Sequence, residues 1–370
     1  MKSTFCIVED RPAWEPSIKL LLMSLNSFGS AGAINLFYPP AGQAFLEWAK
    51  GFPRVHVRTQ KMMLSGWDVK PEAALILLDE GFDEVIWIDS DIVACRDPND
   101  LFRGLSQETF ATTIDTAAAQ RNGTAAARAR KWGLEVRREL PFNPNLGVFR
   151  VTKHHHRLLE RWLELMRTDE YQACQHMEWN KRPFHMMGDH DPLAALLSSV
   201  EFPEVPLRFF RRGADIIHFD GVYGYTTAAR VQHLLFGPPT FAHSMGPGKP
   251  WFYRWREAPP RPRDWFEELY FDLSPYTAHA ARLGRDFDLH EAWMDPHYQL
   301  SRALRAMGLG RPPLIGLPLA VIADVFGFLK WLRNNLDRNR ECFNSVPCGV
   351  VSCDSVVERK VKKAGVGPEL

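Results

Sequence analysis

Short apolar runs alternate with longer amphipathic ones through the first hundred residues, and this constrains the fold more than any other feature of the chain. "TFCIVED" predicts an opening core strand, and "PSIKLLLMSLNSFG" a helix closed by a glycine. "AINLFY", "RVHVRT" and "EVIWID" predict further strands, with "AGQAFLEWAKGF" and "KPEAALILLDEGF" as the helices between them. Strand–helix alternation of this kind implies an α/β layer with a largely parallel sheet. Ligands of such sheets collect beyond the carboxyl ends of the strands. Asp89 and Asp91 fall at one of those ends.

The segment "VIWIDSDIVACRD", residues 85–97, poses the chemical question. Its four apolar residues predict a buried strand, yet a bare carboxylate is costly to bury. Asp89 and Asp91 therefore need a cation, a hydrogen-bond network or open solvent. In an extended segment residues i and i+2 share a face and lie ~7 Å apart. A turn after Asp89 would bring both carboxylates onto one divalent ion, and hard oxygen ligands suit Mg²⁺ or Mn²⁺. A capping or surface acid pair is the plain alternative. A second element adds to the first: "HSMGPGKPW", 243–251, packs a nitrogen ligand, two glycines, a lysine and a stiff Pro-Trp exit into nine residues. Gly246 and Gly248 permit close backbone approach to an anion, and Lys249 supplies a point charge for a phosphate. His218, in "IIHFDG", also ends a predicted strand and ranks second to His243 as a ligand.

Further along, residues 111–140 are rich in Ala and Arg and predict a mobile loop-and-helix excursion over the site. "LGVFRV", "ADIIHF" and "PTFAHS" predict strands; "HHHRLLERWLELMRTDEY" and "DHDPLAALLSSV" predict helices. Three consecutive histidines on a helix point in different directions and cannot share one ion, so His154–His156 are expected to be a solvated helix start. The formal net charge of +1 argues against broad capture of nucleic acid, so no nucleic-acid partner is expected. Six scattered cysteines without a CxxC pair fit reduced cytosolic thiols, and no secretory signal is visible, which gives a cytoplasmic expectation. The stretch "LIGLPLAVIADVFGFLKWL", 314–332, carries Pro318, Asp324 and Lys330. It predicts an amphipathic helix, either interfacial or packed on the protein's own core, with Arg333, Arg338 and Arg340 following it. Peripheral contact with the inner membrane face is one expectation that results. The expected organisation is a catalytic region over 1–255, a Pro/Arg-rich linker and helical extension over 256–311, the amphipathic helix over 312–340 and a polar tail over 341–370.

"WIDSDI", "NLGVF", "GDHDPLAALL" and "HSMGPGKPW" together resemble the family-8 retaining glycosyltransferases. The resemblance covers residues 1–255 and is most specific at the HxxGxxKPW element. It implies a GT-A (Rossmann-like) fold, a mixed, mostly parallel sheet flanked by helices, with the helical C-terminal extension beyond it. It also implies hexosyltransferase activity with a nucleotide-diphosphate sugar donor, UDP-linked in the family, a Mn²⁺ (or Mg²⁺) cofactor and a glycan or lipid-linked acceptor. Carried over, Asp89, Asp91 and His243 would bind the metal, and Gly246 and Lys249 would hold the donor diphosphate. Asn145 and Asp189 would line the sugar pocket, and Lys70 matches a basic residue near the donor. Glu9 and Asp10 stand where members contact base or ribose. Where many members read Asp-Gln-Asp, this chain has Asp189-His190-Asp191, which puts a histidine in place of the glutamine expected beneath the anomeric carbon. Retention would arise by front-face attack or through a covalent intermediate on Asp189 or Asp191. Two rivals stand beside this reading: a haloacid-dehalogenase-like phosphatase with Asp89 as nucleophile, and a non-catalytic sugar-binding protein.

Overall fold

A computed structural model describes residues 2–28, 32–40, 42–116, 123–219, 224–246, 248–252 and 261–344. A seven-stranded sheet is built from β1 (Ser3–Val8), β2 (Ala33–Phe37), β3 (Val55–Arg58), β4 (Glu84–Ile88), β6 (Phe110–Ile114), β7 (Pro144–Thr152) and β8 (Leu207–Phe210). Its order is β3-β2-β1-β4-β7-β6-β8. β3, β2, β1 and β4 run parallel, β7 is antiparallel to both β4 and β6, and β6 is parallel to β8. The expected α/β class and mixed, mostly parallel sheet are therefore present.

β4 explains its own composition. It lies between β1 and β7, and all five of its residues are buried. Alternation along the strand sends Val85 and Trp87 into one core with Leu77, Phe149, Trp162 and Leu193. Ile86 and Ile88 enter the other with Phe5, Ile7, Leu21 and Val148. A strand covered on both faces needs a continuous apolar run, as found here. Its one acid, Glu84, is paired with the buried Arg150 guanidinium of β7.

A second, three-stranded sheet positions the site. β5 (Ile92–Ala94) follows Asp91 directly and pairs antiparallel with β10 (Phe241–Ser244), which runs parallel to β9 (Ile216–Phe219). The register sets His243 opposite Ile92 on one side and His218 on the other. The Ser244 amide donates to the Asp91 carbonyl at 3.0 Å. This short sheet brings the His243 imidazole, 155 positions after Ile88, onto the tip of β4.

Several expectations are corrected. Residues 110–114 form strand β6 rather than part of a mobile excursion. Thr112 and Thr113 are buried and donate their hydroxyls to the Asn145 carbonyl at 2.7 and 2.9 Å. Residues 117–122 lie outside the described residues, and Ala125–Lys131 is a helix. His155 is not a solvated helix start. It is buried, its Nδ1 accepts from the Thr152 amide at 3.0 Å, and Nε2 lies 3.0 Å from the Glu108 carbonyl. β5 and β8 were not foreseen. Gly29, expected to close the first helix, falls outside the described residues, as do 253–260 and 345–370.

Pro262 and Pro275 each occupy the first turn of a helix, Pro262–Asp272 and Pro275–Asp286, where a missing amide costs nothing. Both helices belong to the compact unit Met1–Ala323. Within it Tyr276 packs on Trp251 and Trp293, with ring centroids 5.8 and 6.4 Å away. The second unit starts at Asp324, within the helix Leu317–Asn344. Among the described residues, no helix is long and apolar enough to cross a membrane.

Candidate active site

The β4 strand ends at Ile88, and a tight turn follows in which the Ile92 amide reaches back to the Asp89 carbonyl at 3.2 Å. The turn presents Asp89 and Asp91 toward His243. One ligand atom from each of the three lies within 4.8 Å of the others. His243 Nε2 is 3.1 Å from Asp91 Oδ1, and its buried Nδ1 has no hydrogen-bond partner. Gly147 makes room for the ring: a Cβ there would sit 2.6 Å from His243 Cε1 and 2.7 Å from Nδ1. The Gly147 carbonyl also accepts from the Asp89 amide at 2.8 Å, so one backbone position supports both a carboxylate and the imidazole.

Charges around the turn are finely opposed. Burial favours neutral Asp91, but Lys249, whose Nζ is 2.5 Å from Oδ2, and His243 hold it well below the usual carboxylate range. Burial pushes Asp89 up, and the neighbouring Asp91 charge adds to this, only partly offset by Lys70. Two carboxylate oxygens and an imidazole nitrogen form a donor set suited to Mn²⁺. The residues fit a divalent cation.

Lys70 connects this centre to a second one. It is buried at the start of the helix Lys70–Asp79, with Nζ 3.2 Å from Asp89 Oδ1, 3.0 Å from Asp189 Oδ2 and 3.0 Å from the Leu146 carbonyl. Burial opposes its charge, but Asp189 and Asp89 outweigh this and raise its pKa. Asp189 in turn resists its own burial through Lys70 and His190 and stays below the usual range.

His190 sits among three carboxylates, 3.6 Å from Asp189, 3.7 Å from Asp191 and 3.9 Å from Asp115. Burial works against its charge, yet those acids raise it from the usual 6.5 to about 9. Asn145 donates to Asp115 at 3.2 Å and accepts the Gly147 amide at 3.0 Å. Asp191 is fully engaged, taking Arg128 Nε at 2.6 Å and the Gly188 amide at 3.0 Å.

Asp89, Asp91, His243, Lys249, Lys70, Asn145, Asp189, His190 and Asp191 thus form one connected network. Gly246 leaves β10 in the left-handed region at φ 86°, a conformation that favours glycine. Gly248 instead accommodates Phe271, whose Cζ would lie 3.1 Å from an added Cβ. Glu9 faces inward: its two oxygens take Arg11 at 2.6 and 2.8 Å and the Ser90 hydroxyl at 2.6 Å. Asp10 is exposed and lies apart from the network, 3.9 Å from Arg11. His218 is buried with both ring nitrogens unpartnered, 5.5 Å from the His243 ring, and is not among the three converging ligands.

Residues missed in the sequence are Arg128, Asp115, Ser90, Arg11 and Trp14. Arg11 and Lys249 lie over the same Trp14 ring, 3.7 and 5.2 Å from its centroid. None sits in a distinctive pattern. Arg128 lies in a tract whose composition signals only a helix.

No family model and no curated protein matches the chain. Among solved structures it is similar to the apo form of the bifunctional glycosyltransferase WbbM, at 13% identity over 68% of this chain and 47% of that one, TM-score 0.43. It is also similar to the galactosyltransferase LgtC in complex with donor and acceptor sugar analogs, at 14% identity over 75% and 95%, TM-score 0.43. A third likeness is to the glycosyltransferase GlyE of Streptococcus pneumoniae TIGR4, at 15% over 81% and 66%, TM-score 0.45. The chain spans under half the length of the WbbM structure. All three likenesses are loose, with TM-scores below 0.5, and the functional reading rests on this chain's own side chains.

Proposed function

We propose that the chain is a metal-dependent glycosyltransferase of GT-A type that moves a hexose from a nucleotide-diphosphate sugar, UDP-linked by family resemblance, to a glycan or lipid-linked acceptor with retention. The observation that carries this reading is the convergence of Asp89, Asp91 and His243, with Lys249 bound to the second of them. A divalent cation held by those three side chains would supply positive charge beside a departing diphosphate. Lys249 adds a fixed ammonium there, and exchange of its Asp91 contact for a phosphate oxygen keeps that ammonium paired. Lys70 holds Asp89 and Asp189 in fixed relation, which orients the sugar pocket against the metal ligands.

The acceptor hydroxyl attacks the anomeric carbon as its bond to the diphosphate breaks. In the front-face route the departing phosphate oxygen takes the hydroxyl proton. In the covalent route Asp189 instead attacks first, expelling the diphosphate as a glycosyl ester forms; the acceptor hydroxyl then attacks that anomeric carbon, freeing the Asp189 carboxylate and passing its proton to the diphosphate, while Asp191, with both oxygens engaged, positions Arg128 and the Gly188 loop. The exposed side chains of Val321, Ile322, Val325, Phe326, Phe328 and Leu329 on the C-terminal helix support peripheral contact with a lipid surface. Unchanged membrane partitioning after removal of residues 312–370 would withdraw that part.

A thermal-shift screen of nucleotide sugars with and without Mn²⁺ tests the function. A metal-dependent shift for one donor class is expected in the wild type and lost in Asp91→Ala and His243→Ala. No response to any donor would refute the reading, and hydrolysis of a simple phosphate ester would favour a phosphatase.

A further inference from the structure

Two indoles stand half-exposed beside the sugar-site network, 44% exposed for Trp67 and 51% for Trp179. They come from separate short turns of 3-10 helix, Gly66–Val69 and Trp179–Lys181, yet their ring centroids lie 6.1 Å apart at 76°. Arg182 joins them. Its guanidinium carbon lies 5.7 Å from the Trp67 ring and 5.4 Å from the Trp179 ring. That guanidinium is itself anchored by the Gln175 side chain at 2.6 Å and by the carbonyls of Gln175, Met187 and Met177 at 2.7, 2.8 and 3.2 Å. The guanidinium between the two rings is therefore fixed, while about half of each indole stays open to solvent.

The platform is continuous with the candidate site. Asp68 follows Trp67 and is buried, accepting the Tyr171 hydroxyl at 2.8 Å. It lies within electrostatic reach of Asp189, Lys70 and Arg182. Met187, which anchors Arg182, is two residues before Asp189. On the same part of the chain a cleft of ≈ 530 Å³ is lined by residues 61–64 with Arg167 and Gln172. Flat, rigid aromatic faces with charged and amide groups at their rim suit ligands that are apolar on one face and hydroxylated at the edge. A pyranose ring has that form. Aliphatic lipid or a second protein copy would draw on a broader apolar surface than two indoles.

We infer that Trp67 and Trp179, braced by Arg182, form an acceptor subsite that stacks the sugar rings of a neutral oligosaccharide. The inference rests on the glycosyltransferase reading and deepens it by naming the acceptor class.

The full chain is tested by saturation-transfer NMR with maltotetraose, cellotetraose and chitotetraose. At least one is expected to bind the wild type, to bind Trp67→Ala/Trp179→Ala about tenfold more weakly, and to recover in Trp67→Phe/Trp179→Phe. Mn²⁺-dependent UDP binding, followed by thermal shift, is expected to persist in all three proteins. Binding unaffected by the double alanine change, no signal from any of the probes, or a wild-type dimer that the double change dissociates would each overturn the inference. Oligosaccharide binding without any Mn²⁺-dependent UDP binding would instead overturn the glycosyltransferase reading while leaving the aromatic subsite in place.

Discussion

Gly147→Ala perturbs the candidate metal centre without altering any ligand. The new Cβ would lie 2.6 Å from His243 Cε1, 2.7 Å from Nδ1 and 3.1 Å from Asn145 Oδ1. Carbon contacts are comfortable from about 3.5 Å, so the imidazole must retreat by roughly 0.9 Å. Metal–ligand distances tolerate only about 0.2 Å, so the ring cannot retreat and remain a good ligand. Loss of a supporting group typically costs metal affinity about 10- to 100-fold, or about 1.4 to 2.7 kcal/mol. Overpacking costs the fold about 1–3 kcal/mol, which a domain of this size can absorb. Isothermal titration with Mn²⁺ reads the first effect and urea unfolding the second. Adding Gly147→Ala to His243→Ala should weaken Mn²⁺ little further, because both remove the same imidazole. Wild-type Mn²⁺ affinity in a folded Gly147→Ala protein would refute the reasoning.

Two further predictions concern Lys70 and His190. Lys70→Met leaves Asp89 and Asp189 buried around a missing cation and should cost about 3–5 kcal/mol of stability in denaturant titrations; an unchanged midpoint would contradict the network. His190 is raised from the usual 6.5 to about 9, so its stabilising charge is fully present below 6.5 and lost as pH rises through 9. Relative to His190→Gln, the wild type should gain on the order of 3 kcal/mol on the acid side and lose that advantage on the alkaline side; a gap that does not change with pH would count against the three-carboxylate cage.

The parallel half of the sheet was legible in the sequence because each of its strands is either a continuous apolar run or is bracketed by helix signals. β4 and its terminal acids stood out for the same reason: a strand buried on both faces must be apolar up to the point where it meets the site. β6 was hidden at the head of an Ala- and Arg-rich stretch whose composition signals loop and helix, and its Thr112 and Thr113 hydroxyls are satisfied only once the Asn145 carbonyl is brought beside them. β5 has only three residues, too few for any periodicity to register. Asp89, Asp91 and His243 stood out as residue types with metal-binding chemistry near strand ends, and the fold brings them together. The need for Gly147 was not, because it depends on the distance between two segments about a hundred residues apart. Glu9 illustrates the limit: an acid at a strand end looks available, but Arg11 and Ser90 occupy it once the chain is folded. The role of Arg128 likewise exists only across the gap from its helix to Asp191.

The central claim is that one cation is shared by Asp89, Asp91 and His243. Anomalous diffraction from crystals grown with Mn²⁺ and UDP addresses it without relying on turnover. A peak within bonding distance of all three side chains, with the UDP diphosphate beside it and Lys249 turned toward a phosphate oxygen, is the predicted result. Manganese bound elsewhere, or ordered UDP with no metal between these residues, would contradict the account.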